Sequence, residues 1–520
     1  MIHLGYLPVK EVPARLGWQS LSLQRDYEQR FGSYKSEHVL VNKHPLLCKN
    51  DNSKMHDVHL FAPDPYAWEM AINSFICERE ILWQSCKPLT LVEAISRCNK
   101  STVSGYIPKE LYKKDTKGDY YMDLAFVESQ IQLIESGVDV AVIWKVNDKE
   151  EIRVNEKVDH PDLSKRKQRT MMSSDALHYV VGMMLFAEQN DKLIDECHSF
   201  ENWSAAGVSI FHGEWDRMAR YLTPKGDRTR VRCKDVSAME SCVQVPFQQA
   251  IYFARKQYLT LNDGTPKFTD RNYIALFDWW VHHTMYSTVV DMDGCVWLQI
   301  GQNPSGCLNT LYDNIDTNIL LYKYHLAKHA ITNPRYCDIG AFIDFCYSKR
   351  VRFMGDDSIY VDEPIFDDLD ESANELGIVM TDESNGAVPL SEATFCGFGF
   401  MHHNTNTWLP KVNVQKQIDS LLMNKKNNSL RLQFAKLCAF KILFWPVGGT
   451  HYDWICDKIS EMKKGDLFLQ MHAENHLDNI IPMSSLLTQE LSAFQIRILY
   501  SKLEALEGTL QSVPAWSRLH

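Results

Sequence analysis

The sequence predicts an α+β protein built from several units, on three observations. A helical period in the first third runs into a β-type stretch, the centre carries β-type runs paired around turn residues, and the C-terminal part is mostly helical by period. In chain order, Tyr120, Leu124, Val127, Ile131 and Ile134 recur at helical spacing and stop at Gly137, after which Val138 to Val146 reads as a strand. Val289-Val290 and Val296-Trp297-Leu298 flank Asp293-Gly294, a hairpin signal. Gly301 to Gly306 is a glycine-bounded loop that leads into a helix with Leu308, Leu311, Ile315, Ile319 and Tyr322 on its apolar side. Two short β-type runs then bracket Gly355-Asp356-Asp357-Ser358. From Val412 onward the helical period prevails, broken at Pro446 and Gly448-Gly449.

At about 100–200 residues per domain, a chain of 520 residues holds roughly three or four units and buries a large core without staples. Hydrophobic residues make up 45% and charged residues 23%, ordinary globular usage that excludes disordered, collagenous and low-complexity architectures. The formal charge of −11 excludes a basic nucleic-acid coat. The 14 cysteines are scattered, with no C-x-x-C pair, and read as reduced; the adjacent His282-His283 and His402-His403 read as structural rather than as zinc ligands. The apolar run from Tyr179 to Ala187 is far short of the ~20 residues that span a bilayer, and Met1-Ile2-His3-Leu4 lacks a signal pattern. A soluble, cytoplasmic, multi-part enzyme is the expectation.

Charge is segregated along the chain. Between 217 and 234, Arg217, Arg220, Lys225, Arg228, Arg230, Arg232 and Lys234 stand against Asp227 alone. Between 411 and 441, Lys411, Lys416, Lys425, Lys426, Arg431, Lys436 and Lys441 face only Asp419. From Asp356 to Glu371 there are eight acids and no base. Such blocks suit a groove for a polyanion with a metal-binding floor; singly they also read as solvated faces.

The chemistry concentrates in three strings. Gly355-Asp356-Asp357 presents adjacent carboxylates at a hairpin tip, and since adjacent carboxylates repel, a divalent cation is the usual reason to hold them together. Ser305-Gly306 followed by Thr310 and Asn314 puts a hydroxyl and an amide one turn apart on a helix, groups suited to testing a sugar hydroxyl. Lys234-Asp235-Val236-Ser237-Ala238-Met239-Glu240 places two acids five apart. If Asp235 ends a strand beside the hairpin, three carboxylates converge and can hold two metals for in-line phosphoryl transfer.

In this order the strings resemble the palm motifs of RNA-dependent RNA polymerases of positive-strand RNA viruses. Asp235 to Glu240 resembles motif A, Ser305 to Asn314 motif B, and Gly355-Asp356-Asp357 motif C. Phe395-Cys396-Gly397-Phe398-Gly399-Phe400 resembles motif E, Ser164-Lys165-Arg166-Lys167-Gln168-Arg169 the basic motif F, and Thr102 to Pro108 motif G. The Asn303-Pro304-Ser305-Gly306 loop, the Phe-Cys-Gly-Phe string and the stretch from Gly207 to Trp215 look most like the astrovirus and potyvirus side of the picornavirus-like supergroup. The resemblance implies a closed right hand: fingers at 1–229 and 263–284, palm at 230–262 and 285–410, and a mainly helical thumb at 411–520. It implies that Asp235, Asp356 and Asp357 are the catalytic metal ligands, for two Mg²⁺ ions with Mn²⁺ as a substitute. Lys165, Lys167 and Arg169 would meet the triphosphate of the incoming nucleotide. Glu240, Ser305, Gly306, Thr310 and Asn314 would read the ribose, and the two basic blocks would line the template and duplex channels.

The implied activity is template-directed addition of ribonucleotides to an RNA 3′-hydroxyl with release of pyrophosphate, for viral genome replication and transcription. Its partners would be template and nascent RNA, ribonucleoside triphosphates, a protein primer and other viral replication proteins. The expected location is the host cytoplasm, in complexes brought to membranes by partners, since the chain has no transmembrane segment. Two departures stand out. Glu240 occupies a place where the family usually has Asp, and the motif D region near 376–391 lacks the usual lysine, so no general acid is assigned. A reverse transcriptase shares the carboxylates but not the need for a ribose-reading motif B. A catalytically inactive RNA-binding scaffold of a replication complex is the non-enzymatic alternative.

Overall fold

The computed structural model describes residues 2–6, 15–16, 18–19, 21–42, 51, 53–56, 59–149, 151–158, 160–162, 165–166, 169–199, 202–336, 338–403, 407–424, 429–478, 482–485 and 490–501. Lys167, Lys425, Lys426 and the 512–520 tail lie outside the described residues.

The central sheet carries the acids. Its antiparallel order is Val351–Met354, Asp357–Val361, Arg230–Val236 and Met380–Asp382, with Val388–Pro389 also paired to Arg230–Val236. Because side chains alternate between faces, Cys233 and Ile359, directly opposite each other, turn to one side and pack with Trp215, Met218, Leu222, Phe395 and Phe400. Ser358 and Tyr360 turn to the other side, where Tyr322 of the long helix Thr310–Ala330 packs 4.8 Å from Phe353 and 5.6 Å from Tyr360.

That helix is buried nearly all round, more than its amphipathic sequence pattern suggests. Its charged residues are countered by neighbouring helices. Arg79 of Pro65–Trp83 meets Asp316 at 2.5 Å, Glu78 meets Lys323 at 2.7 Å, and Arg255 of Val245–Lys256 meets Asp313 at 3.2 Å. These pairs fix the rotation of the helix, because a buried charge without its partner is costly.

A second five-stranded sheet runs Ile2–Tyr6, Cys295–Ile300, Tyr286–Val290, Trp144–Asp148 and Thr170–Ser173. The hairpin expected around Asp293-Gly294 is present, with Val296 opposite Val290. It does not join the palm sheet, however. Tyr286–Val290 pairs in parallel with Trp144–Asp148, and Cys295–Ile300 pairs with Ile2–Tyr6. The hairpin thus belongs to the sheet that Ile2–Tyr6, Trp144–Asp148 and Thr170–Ser173 also build. The strand expected over 138–146 is corrected to Trp144–Asp148. Its leading part is held by side chains instead of a ladder: Trp279 Nε1 donates to the Val140 carbonyl at 2.9 Å, and Asp139 meets His283 at 2.8 Å.

Thr394–Phe395, Phe398–His403 and Thr407–Val412 form a three-stranded sheet leading into the C-terminal helices Val414–Leu422, Leu430–Phe444, Gly449–Met462, Gly465–Ala473 and Ala493–Tyr500. Leu421, Phe434, Leu437, Phe444, Trp454 and Ile455 build a separate core there, and Leu23 and Tyr27 of the N-terminal helix Leu21–Phe31 are part of it. Trp18–Gln19 pairs with Met423–Asn424, and His38 Nδ1 lies 2.5 Å from Asp419. The N-terminal segment is thus packed against the C-terminal helices.

The charge blocks are used differently from the sequence expectation. Arg232 pairs with Asp362 at 2.6 Å and Lys234 with Asp370 at 2.5 Å, so the basic strand neutralises part of the acidic run. Arg431 donates to the Met471 carbonyl at 2.8 Å and Lys441 pairs with Glu490 at 2.9 Å. Lys436 donates to the Leu421 and Met423 carbonyls at the end of Val414–Leu422, the favourable place for a cation on a helix. These five residues are each engaged by partners within the fold; counting charge along a chain says nothing of where each side chain turns.

Candidate active site

The hairpin forms where the sequence places it. Met354 pairs with Asp357, leaving Gly355 and Asp356 as a two-residue turn, and Gly355 has φ +64°, the value such a turn takes on glycine. Asp357 lies directly opposite Asp235, and the Val236 N–H donates to the Asp356 carbonyl at 3.3 Å. The adjacent carboxylates of Asp356 and Asp357 therefore share one end of the sheet with Asp235, more than a hundred positions earlier in the chain.

Their electrostatics record the crowding. Asp235 is pushed up to about 7, first by burial and then by Asp356, Asp357 and Glu383, while the Arg169 guanidinium works against the rise. Asp357 is pushed up to about 6 by burial, Asp356 and Glu383. Protons are the cheapest neutralisers when no cation is bound; a divalent cation replaces them with a stronger one. The donor set is all carboxylate oxygen, which suits hard cations such as Mg²⁺ or Mn²⁺, so the residues fit the metals expected of them.

Two groups at this site escaped the sequence reading. Glu383 follows Met380–Asp382, where Thr381 pairs with Asp235; its N–H donates to the Cys233 carbonyl at 2.9 Å, which puts its side chain on the face of the acids. It stands in the region noted only for lacking a lysine, and burial and Asp356 raise its pKa. Cys396 is the second. With Gly397 it forms the tip of the Phe395/Phe398 hairpin, at φ +53° and +77°, the both-positive turn that ordinarily prefers Asn-Gly. Both the thiol and the backbone N–H of Cys396 hydrogen-bond Asp357 and hold its pKa down. The Phe-Cys-Gly-Phe string announced a hairpin but not that its tip would touch the acids.

The motif B residues brace one another. Asn303 Nδ2 donates to Asn314 Oδ1 at 2.7 Å, and the Asn303 N–H donates to the Glu240 carbonyl at 2.8 Å. Thr310 Oγ1 lies 2.7 Å from the Pro304 carbonyl, so its hydroxyl is turned to its own loop. Ser305 Oγ accepts from the Met172 N–H at 3.2 Å, and Gly306 makes a parallel bridge to Ser173. A Cβ on Gly306 would stand 2.0 Å from the Met172 carbonyl oxygen, so only glycine allows that approach. Asn318 Nδ2 donates to the Gly355 carbonyl at 2.9 Å, tying this helix to the acid turn. The Glu240 carboxylate reaches Lys54 at 3.1 Å, a partner with no signal in the sequence.

Of the basic motif F residues, Arg169 alone acts on the carboxylates among the described residues; it is partly exposed, with Nη1 4.0 Å from Glu151. Lys165 is exposed, its N–H bonded to the Asp162 carbonyl, and is not brought to the acids. In the motif G segment, Gly105 packs against buried Asp175, which also accepts the Ile107 and Ile143 N–H groups at 3.2 and 3.0 Å.

Comparison with known proteins agrees with this geometry. The family model for viral RNA-dependent RNA polymerase matches residues 35–461. The non-structural polyprotein 1AB of Ovine astrovirus 1 is 23% identical over 399 residues, 73% of this chain, and the chain spans 28% of that polyprotein's length. Among solved structures, the Sicinivirus 3Dpol RNA dependent RNA polymerase superposes with a TM-score of 0.64 at 16% identity, covering 91% of this chain and 95% of that one, a likeness of fold. The right hand, the acids at its centre and the family match over most of the chain converge: this protein belongs to the viral RNA-dependent RNA polymerases.

Proposed function

We propose that Asp235, Asp356 and Asp357 hold two Mg²⁺ ions with which this RNA-dependent RNA polymerase joins a ribonucleotide to the 3′-hydroxyl of a growing RNA, releasing pyrophosphate. Polymerases of this family work with divalent metals. The observation that carries the assignment is the pairing of Asp357 opposite Asp235 beside the Gly355-Asp356 turn. When bound, such ions favour ionisation of the attacking hydroxyl and offset charge on the α-phosphate and the departing pyrophosphate.

The rest is done by the chain. Arg169, whose charge reaches Asp235, offers a forked guanidinium to the triphosphate, and Lys165 and Lys167 would add positive charge for it. Gly306 brings the motif B loop against Met172 and Ser173. The Asn303–Asn314 bond then holds that loop in register with Glu240, so that a ribose 2′-hydroxyl meets an ordered set of polar groups. Thr310 shapes this pocket through the Pro304 carbonyl rather than by touching substrate. Asp357 keeps its orientation through Cys396.

The partners are template RNA, nascent RNA and ribonucleoside triphosphates; a protein primer and other viral replication proteins complete the proposal, as do a host cytoplasmic location and attachment to membranes through those proteins. Among the described residues no helix is long and apolar enough to cross a membrane. Fingers at 1–229 and 263–284, palm at 230–262 and 285–410, and thumb at 411–520 are the corresponding division. The test is incorporation of labelled ribonucleotides and deoxyribonucleotides on an RNA template with Mg²⁺, with and without primer, comparing the native chain with Asp356→Ala. Ribonucleotide-only extension abolished by the substitution supports the assignment. Extension that survives it, or no extension by the native chain despite intact RNA binding, overturns it.

A further inference from the structure

We propose that His325, His329 and Asp368 form a second metal site, for a zinc-type transition ion, on the underside of the palm. His325 and His329 are one turn apart on Thr310–Ala330, with ring centroids 4.9 Å apart. Asp368, 39 positions further on, lies 3.2 Å from His329 Nε2 and 3.9 Å from His325 Nε2. The three ligand atoms fall within 4.8 Å of one another. Nothing in the spacing of the sequence joins a His-x3-His pair to an aspartate so far away.

Three features separate this cluster from an ordinary group of polar side chains. First, Asp368 stands at the N-cap of helix Leu369–Glu375, where an aspartate normally accepts from the first helical N–H groups. Its side chain makes no such bond and is turned to the two imidazoles instead. Second, His325 is fully buried, where carrying a proton charge is costly, and its Nδ1 lies 2.9 Å from Ser372 Oγ. A hydrogen bond from Nδ1–H is the usual outer support of a metal-binding histidine, because it leaves the Nε2 lone pair free. Third, that Nε2 lies 2.5 Å from the Ile365 carbonyl oxygen. Without metal Nε2–H donates to that carbonyl and Nδ1 accepts from the Ser372 hydroxyl; an ion at Nε2 replaces this proton, and the imidazole takes the Nδ1–H tautomer, which Ser372 Oγ then accepts. Lys328, whose charge also reaches His325, is already engaged with Glu375 at 2.7 Å.

Two imidazoles and a carboxylate, with water at the remaining position, are a borderline donor set, suited to Zn²⁺, Co²⁺ or Ni²⁺ and not to Mg²⁺. At 1.5 Å per residue the site lies about 10–16 Å along the helix from Asn318, which touches the catalytic turn. It is therefore distinct from the catalytic acids. An ion there would clasp the helix to the 362–372 segment, whose Asp362 and Asp370 pair with Arg232 and Lys234 on the strand of Asp235.

The test uses the full chain, stripped with chelator and returned to excess Mg²⁺ so that the catalytic carboxylates are occupied. Zn²⁺ binding is read by competition with a chromogenic chelator and by elemental analysis after gel filtration, and Co²⁺ coordination by visible absorption. The native chain and Asp356→Ala are expected to bind one Zn²⁺ each with equal affinity, to give a low-symmetry Co²⁺ spectrum and to melt higher with Zn²⁺. The partly exposed His329→Ala, and Asp368→Asn, are expected to bind at least about tenfold more weakly and to lose the thermal shift. No stoichiometric Zn²⁺ on the native chain overturns the proposal, as does binding that His329→Ala and Asp368→Asn retain or that Asp356→Ala loses.

Discussion

Replacing Cys396 by glycine separates the two things that residue does. Its φ of +53° is a conformation glycine adopts freely and cysteine does not. The left-handed conformation costs a side-chain-bearing residue roughly 1–2 kcal/mol, while glycine gives back roughly 0.5–1 kcal/mol in chain entropy, so the variant should fold at least as stably. What it loses is the thiol donated to Asp357; the backbone N–H stays. A hydrogen bond to a charged group contributes about 1.5–3 kcal/mol, and a weak S–H donor about 1 kcal/mol, which corresponds to somewhat under one pKa unit. Asp357, already pushed up to about 6, then moves toward 7. Its ionised fraction falls from about one half to about one sixth at pH 6, but hardly changes at pH 8. The Mg²⁺ concentration for half-maximal nucleotide incorporation should accordingly rise about threefold at pH 6 and by less than about 1.3-fold at pH 8. Cys396→Ser, with a stronger donor, should keep the native profile. Thermal melts alongside a Mg²⁺ titration at pH 6, 7 and 8 read both effects. A loss of equal size at every pH, or a glycine variant indistinguishable from the native chain at pH 6, would refute the reasoning.

Other outcomes follow from the same geometry. Asp235 and Asp357 have folded-state pKa values raised to about 7 and about 6, above their unfolded values, so the folded protein binds more protons than the unfolded chain between about pH 4 and 7. Stability contributed by these protons is present at low pH and lost as pH rises through those values. In chelator the melting temperature of the sheet should therefore fall from pH 5 to pH 8, and Mg²⁺ should restore more at pH 8; a Mg²⁺ shift equal at both ends would contradict this. Gly306→Ala forces a Cβ to within 2.0 Å of the Met172 carbonyl and should cost about 1–3 kcal/mol and most incorporation activity, measured by melting and primer extension. Lys54→Ala frees the Glu240 carboxylate and should change the ratio of ribonucleotide to deoxyribonucleotide incorporation more than the overall rate; an unchanged ratio would show that the 3.1 Å pair has no part in sugar selection. Arg169→Ala should raise KM for nucleotide severalfold while leaving RNA binding intact, as read by filter retention.

Several features were legible in the sequence because their causes are local. A glycine followed by two aspartates between β-type runs makes the same turn wherever it lies in a fold, since the φ of +64° at Gly355 is open to glycine and to little else. The hairpin around Asp293-Gly294, the helices after Val412 and the string from Ser305 to Asn314 are equally local, and their order along the chain pointed to the polymerase hand. Tertiary structure decided what meets them. Glu383, Cys396 and Lys54 reach the site from segments far apart in sequence, by strand register and by a hairpin tip folding over the sheet. It also decided which charges are free: Arg232, Lys234, Arg431, Lys436 and Lys441 are spent on partners within the fold. The physical reason is one of range. Backbone conformation and periodicity depend on a few neighbouring residues and can be read along a chain, whereas the charge a carboxylate feels and the partner a lysine finds depend on every segment that packs within several ångströms, and only the folded chain brings those together.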